Sequence, residues 1–222
     1  MALNKRIIGS NEHEGHYLFD LRMKNSTEIT PDIVSTGTHG VNHVNFALLD
    51  LFGYQFAPRY AKLSTVIEKI FNITTDKNDR IQMSLKKYIN TKHIMAHWDT
   101  IQRIAVSLAQ RKMDQATLVR KLFGYKSNQL LLEAFTEDNR LVKARYLLSY
   151  IDDPELRSHV QKTLNRGETY HQLRRAISQD NGERFHGNSD EEIELRNECA
   201  RLMAKAIIYF KSKVLSNLLQ SI

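Results

Sequence analysis

The small polar run Ser35-Thr36-Gly37-Thr38-His39-Gly40 lies between the β-branched pair Ile33-Val34 and an apolar helix pattern that starts at Val41. A strand that feeds a helix through such a loop is where α/β proteins place chemistry, because the strand end presents groups rigidly at the sheet edge. Histidine adds two further groupings. Glu12, His13, Glu14 and His16 crowd one short loop, and His39 and His43 stand four apart across the loop-to-helix junction. Neither spacing matches a zinc signature, which needs four ligands for a structural site or three in a defined frame for a catalytic one. The sequence holds no Gly-rich phosphate loop, no nucleophile elbow and no Cys–His pair. A fourth grouping, Asp190, Glu191, Glu192 and Glu194, opens a long helical pattern. Negative charge at a helix N-terminus complements the dipole by about 0.3 to 1 kcal/mol per group, which accounts for such a cluster without any ligand.

Positive charge is the other chemical resource. The 222 residues carry 32 Lys and Arg against 25 Asp and Glu, a formal charge of +7 that favours a negatively charged partner, nucleic acid foremost. Phosphate neutralisation needs only exposed cations. The candidates are Lys86, Lys87, Lys92, Arg103, Arg111, Lys112, Arg120, Lys121, Lys143, Arg145, Arg174 and Arg175. A solvated helix face is the plainer reading of any one of them. Cys199 is the only cysteine, which excludes an internal disulfide and fits a reducing, cytoplasmic setting. No apolar run approaches a membrane span, and the N-terminus lacks a signal-peptide core.

The elements that must position these groups read as follows. Residues 5–8 and 17–21 are strand candidates, and a chain that opens almost at once in a strand has the look of a fragment. After the strand at Ile33-Val34, the residues Val41, Val44, Ala47, Leu48 and Leu51 trace a helix face ending at Gly53, and residues 54–57 alternate as a second strand. Beyond Arg59 the pattern turns helical and does not turn back. Residues 60–80 are mixed, and helices are predicted over 80–88, 91–110, 114–123, 129–152, 154–165 and 167–178. Trp98 is assigned to the core face of the second helix. Asp114 is an N-cap and Pro154 a first-turn residue. Residues 179–189 form a loop, and Ser189 or Asp190 caps a last helix whose apolar face runs through Ile193, Cys199 or Ala200, Met203, Ile207, Phe210 and Val214.

Four stretches carry a resemblance. NEHEGHYLFDL at 11–21, PDIVSTGTHGVNHVNFALLDLFGYQFAPR at 31–59, LNRGETYHQLRRAI at 164–177 and GNSDEEIELRNECARL from 187, followed by IIYF, occur in the order of the Tn-three family of replicative transposases. The chain resembles the C-terminal catalytic region of that family over nearly its whole length. The resemblance implies an α/β, mostly α, fold: a partial ribonuclease-H-like core at 1–59, a helical insertion at 60–186, and a final core helix at 187–222. It implies a DDE site in which three carboxylates hold two Mg²⁺ ions about 3.5 to 4 Å apart, clamping the attacking and leaving oxygens of phosphoryl transfer. It also implies DNA as partner, an intact transposase as a possible oligomer mate, and a bacterial, nucleoid-associated location.

The chain departs from the family pattern at two metal-binding positions of the three. The second aspartate of the family falls at Gly37, and the first belongs to a strand upstream of residue 1. The glutamate falls at Glu192, with Glu191 the next match. Asp32, at the start of the strand, and Asp50, near the end of the following helix, are not substitutes. The resemblance therefore implies a transposase segment without strand-transfer activity of its own, or a DNA-binding module derived from one.

Overall fold

The structure, a computed structural model, describes residues 8–9, 11–25, 28–77, 79–178 and 189–220. The predicted strand at 5–8 and loop at 179–189 fall mostly outside them. The chain is mostly helical and divides into two compact units, residues 3–161 and a smaller one built from residues 162–222 with the first two residues.

In the larger unit a single turn of 3-10 helix, Glu14–His16, runs into α1 (Leu18–Met23). The predicted strand at 17–21 is thus a helix. Its short apolar run suits a strand, but Leu21 N–H bonds Tyr17 carbonyl at 2.9 Å. The Asp20 carboxylate, buried on this turn, also accepts from the Gln115 backbone N–H at 3.0 Å. A contact to a residue 95 positions away decides the conformation, as tertiary context does for short segments of weak propensity.

β1 (Ile33–Val34), α2 (Asn45–Leu51) and β2 (Gln55–Phe56) follow the expected order, and the two strands pair in parallel with Ile33 opposite Gln55 and Val34 opposite Phe56. α2 begins four residues later than the apolar spacing suggests. Asn42 intervenes: its Oδ1 accepts from the N–H groups of Val44 and Asn45, at 3.0 and 2.8 Å, and so occupies donors that a helix N-terminus leaves open. Gly53, at φ +74, ends the helix in the left-handed region that glycine enters freely.

Beyond Arg59 the chain does return to strands, contrary to the sequence reading. α3 (Leu63–Ile70) leads into β3 (Phe71–Thr75), which pairs antiparallel with β4 (Ile81–Leu85). The helix predicted at 80–88 is therefore a strand. Ile81, Met83 and Leu85 alternate with Gln82 and Ser84, a period of two that suits a pleat, and the β-branched residues of β3 supply the partner. The predicted helix 91–110 is two, α4 (Thr91–Ala96) and α5 (Trp98–Ala109), broken at His97, whose Nδ1 lies 3.1 Å from the His93 carbonyl. Trp98 is half-buried at that junction, while Ile94, Ile101 and Leu108 reach the core.

α6 (Gln115–Gly124) is capped as read, the Asp114 carboxylate accepting from Thr117 N–H at 2.8 Å. α7 (Gln129–Asp152) has the predicted bounds and supplies the main packing surface for α2. There Phe46 meets Phe56 and Tyr146 at ring separations of 4.8 and 5.7 Å. α8 (Pro154–Ile177) runs as one helix where two were predicted. Gly167 costs it about 1 kcal/mol relative to alanine but does not interrupt the hydrogen-bond ladder. In the smaller unit α9 (Asp190–Gln220) buries only Asn197, Ala200 and Ala204. Of the predicted apolar face, Ala200 is buried and Ile193 half-buried, while Cys199, Met203, Ile207, Phe210 and Val214 are exposed.

A buried amide network holds the larger unit's loops together. Asn45 and Gln115 are fully buried, and Gln115 Nε2 donates to Asn45 Oδ1 at 2.6 Å and to Gly15 carbonyl at 2.9 Å. Asn45 Nδ2 donates to the carbonyls of Gly15 and Gly40, both at 2.9 Å. Asn45→Ala strands the Gly40 carbonyl and one Gln115 donor inside the fold. Urea denaturation of this variant is expected to show a loss of about 2 to 4 kcal/mol, against less than about 1 kcal/mol for an exposed amide such as Gln102→Ala.

Candidate active site

The parallel pairing of β1 and β2 continues past the strands and fixes the loop that follows. Gln55 N–H donates to Asp32 carbonyl, Ala57 to Val34 and Arg59 to Thr36, at 2.8 to 2.9 Å. Gly37 is the next residue, at the strand end, with ordinary extended backbone (φ −71, ψ −179). A turn of 3-10 helix, Thr38–Gly40, closes back on it, Gly40 N–H donating to Gly37 carbonyl at 3.1 Å. Thr38 Oγ1 accepts from Ala61 N–H at 3.0 Å and donates to Arg59 carbonyl at 3.3 Å.

The glycines of this loop answer to different constraints. A Cβ on Gly40 would lie 2.5 to 2.9 Å from the Thr36 side chain, and one on Gly15 would lie 2.6 Å from the Gly40 carbonyl, so close approach requires glycine at both. A Cβ on Gly37 would meet nothing within 4 Å. The scaffold that presents position 37 is closely packed, and position 37 itself opens on free space.

Elsewhere in the larger unit the groups with chemical potential are mostly committed. Asp50 forms an ion pair with Arg145, and Asp32 is exposed at the start of β1. Burial, and then the neighbouring Asp50, raise the Asp138 carboxyl above its usual range, with Arg145 acting against them. Lys143 sits 5.4 Å above the Tyr60 ring, and burial followed by Lys69 lowers its ammonium. Beside Asn42 and His43 a cleft of about 750 Å³ is lined by Glu12, His13, His16 and Arg120 among others. The His13 and His16 rings stack at 5.0 Å, Tyr17 hydroxyl donates to Glu12 at 2.5 Å, and His13 Nδ1 accepts from Gly15 N–H at 3.1 Å. Burial, then His13, depress the His16 imidazole, and Glu12 partly offsets them. His39 is exposed.

Glu192 and Glu191 lie in the first turn of α9, both exposed, in the smaller unit, whereas Gly37 belongs to the larger. Glu192 N–H donates to Ser189 Oγ at 3.3 Å, so Ser189 caps this helix. The basic candidates scatter. Lys86 and Lys87 directly follow β4 instead of riding a helix, Lys92 is in the first turn of α4, and Arg120 and Lys121 are exposed on α6. Arg111, with Lys112 in the turn after α5, adopts φ 56 and donates to Met23 carbonyl at 2.9 Å. Arg174 donates to buried Asn197, while Arg175 is exposed.

A family model described as "Tn3 transposase DDE domain" matches residues 1–222. The chain belongs to the Tn3 transposase DDE family. It is 31% identical over 173 residues to the transposase for transposon Tn1546 from Enterococcus faecium, covering 78% of this chain and 17% of that protein. Similarity to the transposase for Tn21 from Escherichia coli is 28% over 211 residues, covering 93% and 21%. To that for Tn501 from Pseudomonas aeruginosa it is 26% over 221 residues, covering 98% and 22%. The chain spans about a fifth of the length of these relatives. No solved structure matches it.

A DDE domain implies Mg²⁺ dependence in the family. The donor set at this loop does not fit a metal pair: the strand end offers threonine hydroxyls, a histidine and backbone, and the one adjacent helix carboxylate, Asp50, is paired with Arg145. Among the described residues no three His, Cys, Asp or Glu side chains come together in a way that would hold a metal ion. Also among them, no helix is long and apolar enough to cross a membrane.

The sequence reading missed Asn42, Asn45, Gln115 and Asn139, the amides that shape this loop. Asn139 Oδ1 accepts from Phe46 N–H at 2.9 Å. Asn42 and Asn45, polar residues set in the otherwise apolar stretch that continues into FALL, were the available signal. His16 supplies a test of the histidine cleft. Its depressed folded value means that the unfolded chain binds more protons just below the ordinary value of 6.5. Stability is then present above that pH and is lost as pH falls through it. The melting temperature should fall between pH 7 and pH 5, and His16→Gln should fall less over the same range.

Proposed function

We propose that the chain is a transposase-derived module that contacts DNA and does not itself cleave or join strands. The observation that carries this reading is Gly37. At the end of β1, where the family resemblance puts a metal-binding aspartate, the residue has no side chain, on a loop otherwise suited to hold one. Two-metal phosphoryl transfer requires hard oxygen ligands in close array, and glycine offers only its backbone. Glu192, with Glu191 as the second match, is the family glutamate in this reading. With glycine in place of one of the three family carboxylates, a Mg²⁺ pair is not held productively here.

The parallel β1–α2–β2 unit supports assigning residues 1–59 to a partial ribonuclease-H-like core, with 60–186 as a helical insertion and 187–222 as the last core helix. DNA contact survives the loss of the metal ligands, because it draws on surface cations: Lys86, Lys87, Lys92, Lys112, Arg120, Lys121 and Arg175 are exposed, and Arg111 and Arg174 join them after their intramolecular bonds. Such a module occupies transposon ends or target DNA, or enters mixed oligomers with an intact transposase, in the bacterial cytoplasm at the nucleoid.

The chain is expected to bind duplex DNA without added metal, with affinity falling steeply with salt in proportion to the phosphates contacted. With Mg²⁺ it should not nick a supercoiled plasmid. Gly37→Asp should fold with unchanged stability, because its Cβ enters free space, and should remain inactive for want of further carboxylates. Mg²⁺-dependent nicking by the unaltered chain, or by Gly37→Asp alone, sinks the non-catalytic reading. Lack of binding at low ionic strength sinks the DNA reading.

A further inference from the structure

The β3–β4 ribbon projects from the larger unit: of its ten strand residues only Phe71 is buried, and Met83 is half-buried. Successive side chains of a strand point to opposite faces, and directly opposed residues share a face. The register therefore sorts the ribbon into two sets. Phe71 with Leu85, Ile73 with Met83, and Thr75 with Ile81 form one face, apolar at its root. Asn72 with Ser84 and Thr74 with Gln82 form the other.

That second face is chemically unusual for a solvated strand surface. It carries two amides and two hydroxyls, no charge and no apolar side chain. All four residues are exposed, and none bonds another described residue through its side chain. Amide and hydroxyl groups both donate and accept, which suits them to the donor and acceptor edges of base pairs: Asn and Gln to adenine, Ser and Thr to any base.

Charge surrounds the ribbon. Residues 69–87 contain five cations, Lys69, Lys77, Arg80, Lys86 and Lys87, against two carboxylates. One of those carboxylates, Asp76, is engaged in the tip turn, where Oδ1 accepts from Arg80 N–H at 2.9 Å. The cations thus sit at the root and the tip, with the neutral face between them. The dimensions agree. Two paired strands about 4.8 Å apart enter a major groove about 12 Å wide, and five residues span roughly 17 Å, or about five base pairs.

The geometry points to the β3–β4 ribbon as a sequence-reading element that enters the major groove of duplex DNA, with Asn72, Thr74, Gln82 and Ser84 on base edges and Lys86 and Lys87 on the flanking phosphates. This inference rests on the DNA-contact reading above and adds which element reads the duplex and from which groove.

The test presents the 222-residue chain with duplexes of randomised central sequence, selects the bound fraction and sequences it. A preferred motif of about three to five base pairs is expected. Asn72→Ala/Gln82→Ala should flatten that preference by about tenfold or more while changing affinity for random-sequence duplex by less than about twofold. Lys86→Ala/Lys87→Ala should weaken binding to all sequences alike and reduce the salt slope by about two. Replacing motif purines by their 7-deaza analogues, which lack the N7 acceptor that faces the major groove, should weaken binding. Thermal melts of the exposed-residue variants should match the parent. Salt-sensitive binding with no motif, a motif retained in the Asn72/Gln82 double variant, or indifference to 7-deazapurine substitution overturns the ribbon assignment and leaves the DNA reading standing. No binding to any duplex overturns both.

Discussion

Two buried amides, Asn45 and Gln115, hold the larger unit in register. Between them they bind the carbonyls of Gly15 and Gly40 and the backbone N–H of Phe19, and Asp20 returns a bond to the Gln115 N–H. Buried polar groups are costly when unpaired, so this arrangement is stable only as a set. The loop before α1, the loop after β1, the start of α2 and the start of α6 must therefore be in place together. Apolar packing of Phe46, Leu48 and Leu49 supplies the driving force, but it is non-directional. The amides decide which loop meets which.

That division explains what could be seen in the sequence. α7 was legible to the residue because its pattern is long and is stopped by Asp153-Pro154, and the β1–α2–β2 succession because its punctuation is local. The family motifs placed Gly37 at a strand end, where the fold has it. The amide network was not legible. Phe19 and Gln115 are 96 residues apart and Gln115 and Asn45 are 70 apart, distances over which no periodicity carries information. α1 was misread for the same reason, since Asp20 takes its conformation from a partner on α6. The β3–β4 ribbon was misread for a different one. Ile81 to Leu85 alternate cleanly, but the surrounding helical segments invited a helical period where a period of two was present.

The two units also differ in how their apolar surface is used. In the larger unit the aromatic residues at the centre of α2, β2 and α7 are almost wholly enclosed. In the smaller unit Ile207, Phe210, Leu215 and Leu219 of α9 stay exposed, and its buried positions are small or polar. An exposed apolar stripe of that kind is the surface a partner or a neighbouring segment ordinarily covers.

The open space at Gly37 has a consequence for heredity. Close contacts dictate glycine at positions 15 and 40, so a gene encoding this fold is constrained there whether or not the product has chemistry to perform. Position 37 is released from that constraint. Every glycine codon becomes an aspartate or glutamate codon through a change at its second base, and a Cβ at position 37 meets nothing within 4 Å. Acquiring or discarding an acidic group at this strand end is thus a single mutational step that leaves the architecture intact, so related genes can drift across that boundary in either direction while their products keep folding.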